Sequence, residues 1–259
     1  MVNVVVAGAT GKLGKMVCDQ IVSSDDLKLT GAIVSENGGN VGRELYPGIF
    51  ASAPSELETL LKDADVYVDF TAPAAASAVV DRIAETGTNL VLGTTAVDAS
   101  TLNRMTENTE KYGTSAIISS NFASGVNIFW KICEILAKAL PEYDIEVVEA
   151  HHGAKKDSPS GTALETVRRL SNTTGIQDVV HGREGITGPR KREIGVHSIR
   201  AGNIVGDHTV IFAGDMERIE FSHKAVSREV IAMGCVKAIR WISDKKDGKV
   251  HSMEEVLNL

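Results

Sequence analysis

The sequence is short of several things, and each shortage narrows what it can be. Its 259 residues include only three cysteines, Cys18, Cys133 and Cys235. They are odd in number, far apart and without a Cys-x-x-Cys pair, which suggests neither a disulfide framework nor a zinc site, and no metal is expected. Each falls in a helix-like stretch, so they are expected to be core filler in a reducing, cytoplasmic setting. No stretch approaches the ~18 consecutive apolar residues of a membrane span. The first residues carry no basic region ahead of their apolar run, so they read as a strand rather than a signal peptide. Positive charge is not in excess either. Lys and Arg number 27 against 34 Asp and Glu, a net charge of −7. That balance argues against nucleic acid as a partner. Charged residues make up 24%, as in ordinary folded domains, and a chain this long can bury a core without staples.

What is present is an alternation of strand and helix. Residues 2–7 are a short β-branched run. In 12–23 the apolar residues Leu13, Met16, Val17 and Ile21 share one helical face. Strands at 27–34, 66–70, 89–92 and 114–119 then alternate with helices at 54–62, 74–85 and 100–111, and 37–42 reads as a turn-rich loop. Such alternation implies βαβ units and a parallel sheet. The longest helical pattern, 123–140, stops at Pro141. Beyond it the organisation changes: a strand at 144–151, a helix at 162–170, a loop at 182–192, then strand-like runs at 193–200, 204–213 and 217–223. The segment 200–206 reads as the turn of a strand–turn–strand hairpin. A helix follows at 227–241, with a short one at 253–257. Runs of strands after strict alternation predict a second, α+β unit.

Gly8, Gly11 and Gly14 form G-x-x-G-x-x-G, with Thr10, Lys12 and Leu13 among them, between the first strand and first helix. Glycines here permit a tight turn and close approach of a pyrophosphate, and the helix N-terminus offers N–H groups to it. A ligand-free βα turn is the alternative. At the end of the second strand Glu36 sits about where a carboxylate would bond a ribose 2′-hydroxyl, which favours NAD, whereas Lys12 or Lys15 would suit a phosphate. The preference between NADH and NADPH stays open. Thr71, the run Gly93-Thr94-Thr95 and the run Ser120-Asn121-Phe122 each follow a parallel strand, where open α/β sheets bind ligands.

The most unusual stretch is His151-His152-Gly153-Ala154-Lys155-Lys156-Asp157-Ser158-Pro159-Ser160-Gly161-Thr162. Two His and two Lys concentrate positive potential in an acidic chain. Ser160-Gly161-Thr162 enters a helix, and Thr162 to Glu165 fits a capping box. Ammonium charge beside a helix N-terminus suits a carboxylate or phosphate. Adjacent strand residues face opposite ways, so His151 and His152 do not share a metal. A histidine there can protonate a developing carbanion or enamine, with a lysine holding an anionic substrate. His197, His208 and His223 lie in strand-like runs and read as structural. A phosphorylating semialdehyde dehydrogenase would need an activated cysteine, and Cys133 lies within an amphipathic helix. A protein that binds the dinucleotide without turnover would have no need of the His-Lys-Ser-Gly-Thr cluster.

Together these residues carry a resemblance over nearly the whole chain to the dihydrodipicolinate reductase family, also called 4-hydroxy-tetrahydrodipicolinate reductases, of the diaminopimelate route to lysine. The glycine loop, Asp69-Phe70-Thr71, Gly93-Thr94-Thr95, Ser120-Asn121-Phe122, Glu149-Ala150-His151-His152, Lys155, Pro159 to Ala163, and Arg200-Ala201-Gly202 with Gly206 and His208 make the match. The resemblance implies an α/β fold, a Rossmann-like doubly wound parallel sheet with an inserted α+β substrate domain. The nucleotide domain would take 1–121 and 227–259, and the substrate and oligomerisation domain 122–226. It implies reduction of a cyclic imine-dicarboxylate by NADPH or NADH. His151 would donate the proton and Lys155 would be its electrostatic partner. His152, Ser160, Gly161 and Thr162 would bind the carboxylates. Gly93, Thr95, Ser120 and Phe122 would border the nicotinamide. A homotetramer paired through the substrate-domain sheet is implied as well. Two departures stand out: Gly153-Ala154 replaces a basic pair common in the family, and Ser35-Glu36 replaces a Glu-Arg pair.

Overall fold

A computed structural model describes all residues, 1–259, and divides them into two units, Met1–Ser124 with Glu229–Asn258, and Gly125–Arg228.

In the first unit the chain runs β1 (Val2–Ala7), α1 (Lys12–Val22), β2 (Leu27–Ile33), β3 (Glu44–Tyr46), β4 (Ile49–Ser52), α2 (Leu57–Leu61), β5 (Val66–Asp69), α3 (Pro73–Glu85), β6 (Asn89–Leu92), α4 (Ala99–Tyr112) and β7 (Ala116–Ile118). The β3–β4 hairpin follows the expected 37–42 loop, in residues to which the sequence pattern assigns no element, and Glu36–Gly38 and Pro54–Glu56 are single 3₁₀ turns. After the second unit, the chain returns with a long helix over Glu229–Ile242, a strand at Val250–His251 and a helix over Met253–Leu257. Seven of the eight strands are parallel. The returning strand pairs β7, then come β6, β5, β1, β2 and β4, with β3 antiparallel at the edge. Successive strands are added on opposite sides of β1, so the chain reverses direction across the sheet between β1 and β5. Ligands bind at such a switch point, outside the carboxyl ends of the strands.

Strand periodicity accounts for the two cores. On β1, Val4 and Val6 pack with Val17, Cys18 and Ile21 of α1 and with Cys235 and Ile239 of the returning helix. The intervening Val5 and Ala7 pack with Leu57, Tyr67, Ile83 and Met105 on the other face. A sheet buried on both faces reads as an unbroken apolar run, as Val4-Val5-Val6-Ala7 does. Buried Asn89 fastens the returning chain: its amide donates to the carbonyls of Ile242 (2.7 Å) and Lys245 (2.9 Å), and its Oδ1 accepts from Ser115 N–H.

The second unit contains α5 (Ser124–Ala139), β8 (Asp144–His151), α6 (Gly161–Thr174), β9 (Val179–His181), β10 (Ile194–Arg200), β11 (Gly206–Ala213) and β12 (Arg218–Ala225); the returning elements are thus α7, β13 and α8. The sheet order is β12-β11-β8-β10-β9. This corrects the hairpin expected at 200–206: β8 lies between β10 and β11, parallel to the first and antiparallel to the second. A turn-rich sequence marks where the chain bends, but the partner of each strand is chosen by burial. β8 is buried at every second residue, Ile145, Val147, Glu149 and His151, which suits a central strand. Helices α5 and α6 meet through Trp130, whose indole N–H donates to Thr166 Oγ1 at 3.0 Å, and Phe129 of α5 stacks on Phe221 of β12.

Candidate functional site

The glycine loop closes onto the sheet so tightly that side chains would not fit. Gly8 has φ +77°, and a Cβ there would run into the Phe70 carbonyl; at Gly14 it would run into the carbonyl of Gly8. Without a side chain, Gly14 lets α1 pack close against the strand turn. Helix α1 begins at Gly11 with no side-chain cap and no acidic residue in its first turn. An uncapped positive helix end of this kind fits a pyrophosphate.

Two clefts flank that turn. One, of about 490 Å³, is lined by Gly8, Thr10, Ser35, Glu36 and Thr71, with an apolar wall that includes Leu57 and Val79. Its size and mixed lining would suit the adenosine half of a dinucleotide, with Glu36 available to a ribose hydroxyl. The other, of about 280 Å³, brings together Gly11, Lys12, Leu13, Thr71, Gly93, Thr94, Thr95, Ser120, Asn121 and Phe122. Lys15 is drawn into an ion pair with Asp19 (2.7 Å) and is in neither. Gly93 leaves room for the Phe70 ring, which meets Phe122 edge-on at 5.9 Å. Asp69 is buried and lines the first cleft. Its Oδ1 accepts from Thr71 N–H (3.0 Å), Thr71 O–H (2.6 Å) and Thr94 O–H (2.6 Å), and its Oδ2 accepts from Tyr67 O–H (3.1 Å). Thr71, which lines both clefts, is therefore held by a buried carboxylate.

In the second unit a carboxylate again organises the site. Glu149 is fully buried on β8, two residues from His151 and on the same face. Arg200 grips it with both nitrogens, Nη1 on Oε2 at 2.9 Å and Nη2 on Oε1 at 2.8 Å. His151 Nδ1 lies 2.6 Å from Oε2, and Ser160 N–H donates to Oε1 at 3.2 Å. Burial alone would raise the Glu149 carboxyl, but the bonds from Arg200 and His151 outweigh it and hold its pKa at about 2. An ionised Glu149 can only accept, so His151 donates through Nδ1 and keeps Nε2 for chemistry. Burial lowers the His151 pKa, with Glu149 pulling the other way. A Cβ at Gly206 would come 3.1 Å from Nε2, so glycine there keeps the space beside it open.

The remaining candidates gather around this pair. Ser160, not Thr162, is the N-cap of α6: its Oγ accepts from Ala163 N–H at 3.2 Å. The capping box expected at 162–165 does not form, because Glu165 is taken by Arg168 and Arg169. Gly161 and Thr162 open the first turn beyond the cap. Lys155 Nζ is 2.9 Å from both carboxylate oxygens of Asp157, and Arg200 also donates to the Asp157 carbonyl, which ties the loop to Glu149. Arg228 Nη2 donates to His152 Nε2 at 2.9 Å, so His152 carries its own proton on Nδ1. Two of the histidines taken as structural separate here. His197 Nε2 lies 2.8 Å from Glu146 Oε2, whereas His208 meets the His151 ring edge-on at 5.3 Å and lies 3.0 Å from Ser160 Oγ. Arg200 and His208 lie in segments that carry the family resemblance, but only strand pairing gives them their partners, and Arg228 carries no local pattern that flags it.

The fold and these two sites define a two-unit α/β protein of the dinucleotide-binding kind whose second unit gathers cationic side chains around a buried Glu149–His151 pair. The dihydrodipicolinate reductase family models match both parts, the N-terminus over residues 2–122 and the C-terminus over 125–257. The chain belongs to the dihydrodipicolinate reductase family. It is 43% identical to the 4-hydroxy-tetrahydrodipicolinate reductase of Methanosarcina barkeri, covering all of both chains. It is 44% identical to that of Methanococcus aeolicus, covering all of this chain and 99% of the relative. Among solved structures it is similar to the dipicolinate-bound dihydrodipicolinate reductase of Paenisporosarcina sp. TG-14, with a TM-score of 0.83 at 23% identity over 98% of each chain. A diaminopimelate dehydrogenase of C. glutamicum shares the fold less closely, with a TM-score of 0.61 at 17% identity over 98% of this chain and 93% of that one.

Proposed function

We propose that the chain reduces 4-hydroxy-tetrahydrodipicolinate, by way of the cyclic imine dihydrodipicolinate, to tetrahydrodipicolinate, with NADPH or NADH as the reductant. The observation that carries this reading is the buried Glu149–His151 pair set beside the Ser160-capped helix end and Lys155. Bound nicotinamide would supply hydride to the conjugated ring. The residues of the glycine turn and of Thr71, Gly93 to Thr95 and Ser120 to Phe122 would orient it. As hydride arrives the ring gains an electron pair, and His151 Nε2 gives a proton to the carbon that becomes negative. One hydride and one proton together complete the reduction.

Glu149 stabilises the imidazolium that precedes this transfer and fixes the ring so that Nε2 faces outward. Lys155, His152 through its Nδ1–H, and the Ser160-Gly161-Thr162 turn would hold the two carboxylates. Orientation of this kind can supply several kcal/mol. Arg200 and Arg228 place guanidinium charge around the site, which offsets the Gly153-Ala154 replacement. A cytoplasmic homotetramer accords with the three free, buried cysteines and with the exposed apolar residues Ile199 and Ile219 on the second sheet. The test is oxidation of NADH and of NADPH, each with enzymatically generated substrate, with and without pyridine-2,6-dicarboxylate. Substrate-dependent oxidation that this dianion inhibits is expected. Saturable dinucleotide binding without any substrate-dependent oxidation would sink the reading.

A further inference from the structure

Ser160 and His208 share an arithmetic of protons that fixes how the anion clamp is wired. His208 sits on β11, directly across from Glu149 of β8 on one side and His223 of β12 on the other. It is 4% exposed, and its Nε2 lies 3.0 Å from Ser160 Oγ. Its other nitrogen, Nδ1, is buried and has no partner. The ring is neutral, because burial and then the neighbouring His151 push its pKa down to about 3. The pair therefore holds two protons, one on the ring and one on the hydroxyl, and their mutual bond uses one.

The other proton has two possible places. If Ser160 donated to Nε2, the ring proton would sit on Nδ1 as a buried N–H with no acceptor. Orphaned buried N–H groups are rarer in folded proteins than under-satisfied buried acceptors. If Nε2 carries the proton, it donates to Ser160 Oγ. That oxygen already accepts from Ala163 N–H, so both of its acceptor sites are filled. The Ser160 hydroxyl proton is then unused within the fold and can rotate onto a ligand oxygen.

We propose that His208 is a positioning residue which, as the Nε2–H tautomer, commits the Ser160 hydroxyl to donating to a substrate carboxylate. The last clause rests on the carboxylate-binding role given to Ser160 above; the tautomer itself does not. His208 acts only through Ser160.

Nitrogen-15 NMR of histidine-labelled protein at neutral pH tests the tautomer, with the His208 signals assigned by their loss in His208→Gln. A protonated Nε2 and a bare Nδ1 are expected. A protonated Nδ1, or protons on both, overturns the inference whatever the variants do. Calorimetric binding of pyridine-2,6-dicarboxylate gives the functional arm. His208→Leu should weaken it by about tenfold, the effect of one hydrogen bond, while KM rises and kcat changes little. His208→Gln, whose amide can still donate to Ser160, should recover most of the loss. In a Ser160→Ala background His208→Leu should add nothing; an additional loss of the same size overturns action through Ser160. If Nε2 is protonated yet Ser160→Ala leaves dicarboxylate binding intact, the carboxylate role of Ser160 fails, and with it the second half of the inference, while the tautomer stands.

Discussion

Replacing Glu149 with glutamine probes the centre of the site, because that one carboxylate serves several donors at once. It is fully buried and accepts from Arg200 twice, from Ser160 N–H and from His151 Nδ1 at 2.6 Å. Glutamine preserves the shape and removes the charge. The bond to His151 changes from one assisted by charge, worth about 1.5–3 kcal/mol, to a neutral one of about 1 kcal/mol. At about 1.4 kcal/mol per pKa unit, the His151 imidazolium loses on the order of one unit of support. Arg200, no longer balanced, acts in the same direction, since its charge already lowers the His151 pKa. A proton donor works only below its pKa, so activity falls as pH rises through that value. The alkaline limb of kcat/KM in Glu149→Gln should therefore move about one unit toward acid relative to the parent. Stability should drop by about 3 kcal/mol, the lower end for breaking a buried pair, because the Arg200 side chain is 19% exposed. A pH profile of initial rates, with urea unfolding alongside, reads both. An unmoved alkaline limb in a folded variant would refute the coupling of Glu149 to the proton donor.

Other outcomes follow from the same geometry. Lys155→Ala should raise KM and lower kcat together, each by about tenfold, if its ammonium holds a carboxylate; a change in neither parameter would remove it from the clamp. Asp69→Ala strands the donors of Thr71, Thr94 and Tyr67. It should cost about 2–4 kcal/mol by urea unfolding and weaken NADH binding several-fold by fluorescence titration, and unchanged binding would show that Thr71 needs no anchoring. His208 makes stability depend on pH. Its pKa is about 3 in the fold against 6.5 as its ordinary value, so its contribution is complete above pH 6.5 and is lost as pH falls below it. Between pH 6.5 and 5 the parent should lose about 2 kcal/mol that His208→Gln retains; parallel unfolding curves for the two would contradict the neutral, buried ring.

The alternating half of the chain was legible because its signals are local. The run Val4 to Ala7, the glycine turn and the amphipathic 12–23 segment each announce themselves within a dozen residues, and β1, α1 and their switch point follow. The candidate dinucleotide residues came from the same logic, and the structure brings Thr71, Gly93, Thr95, Ser120 and Phe122 to one cleft. What failed was pairing at a distance. The Ala201-Gly202-Asn203 turn looked like a hairpin, yet β8 intervenes, since nothing in residues 200–206 records that Glu149 and His151 must be buried between two neighbours. The capping residue of α6 was misplaced by two positions because Thr-Ala-Leu-Glu imitates a capping box, while Glu165 is drawn away by arginines that the spacing does not weigh. Asp69, Arg200 and His208 stand in segments that carry the resemblance, yet their partners are not legible there: a single polar residue has no periodicity, and its contacts appear only when neighbouring strands and loops are in place.

In the proposed reaction His151 gives up a proton while hydride is received. Steady-state kinetics of His151→Gln with the reduced dinucleotide and enzymatically generated substrate measures this directly. Loss of general acid catalysis should lower kcat by about 10²–10³ while KM stays near the parent value. A variant that turned over at the parental kcat would show that the proton comes from elsewhere.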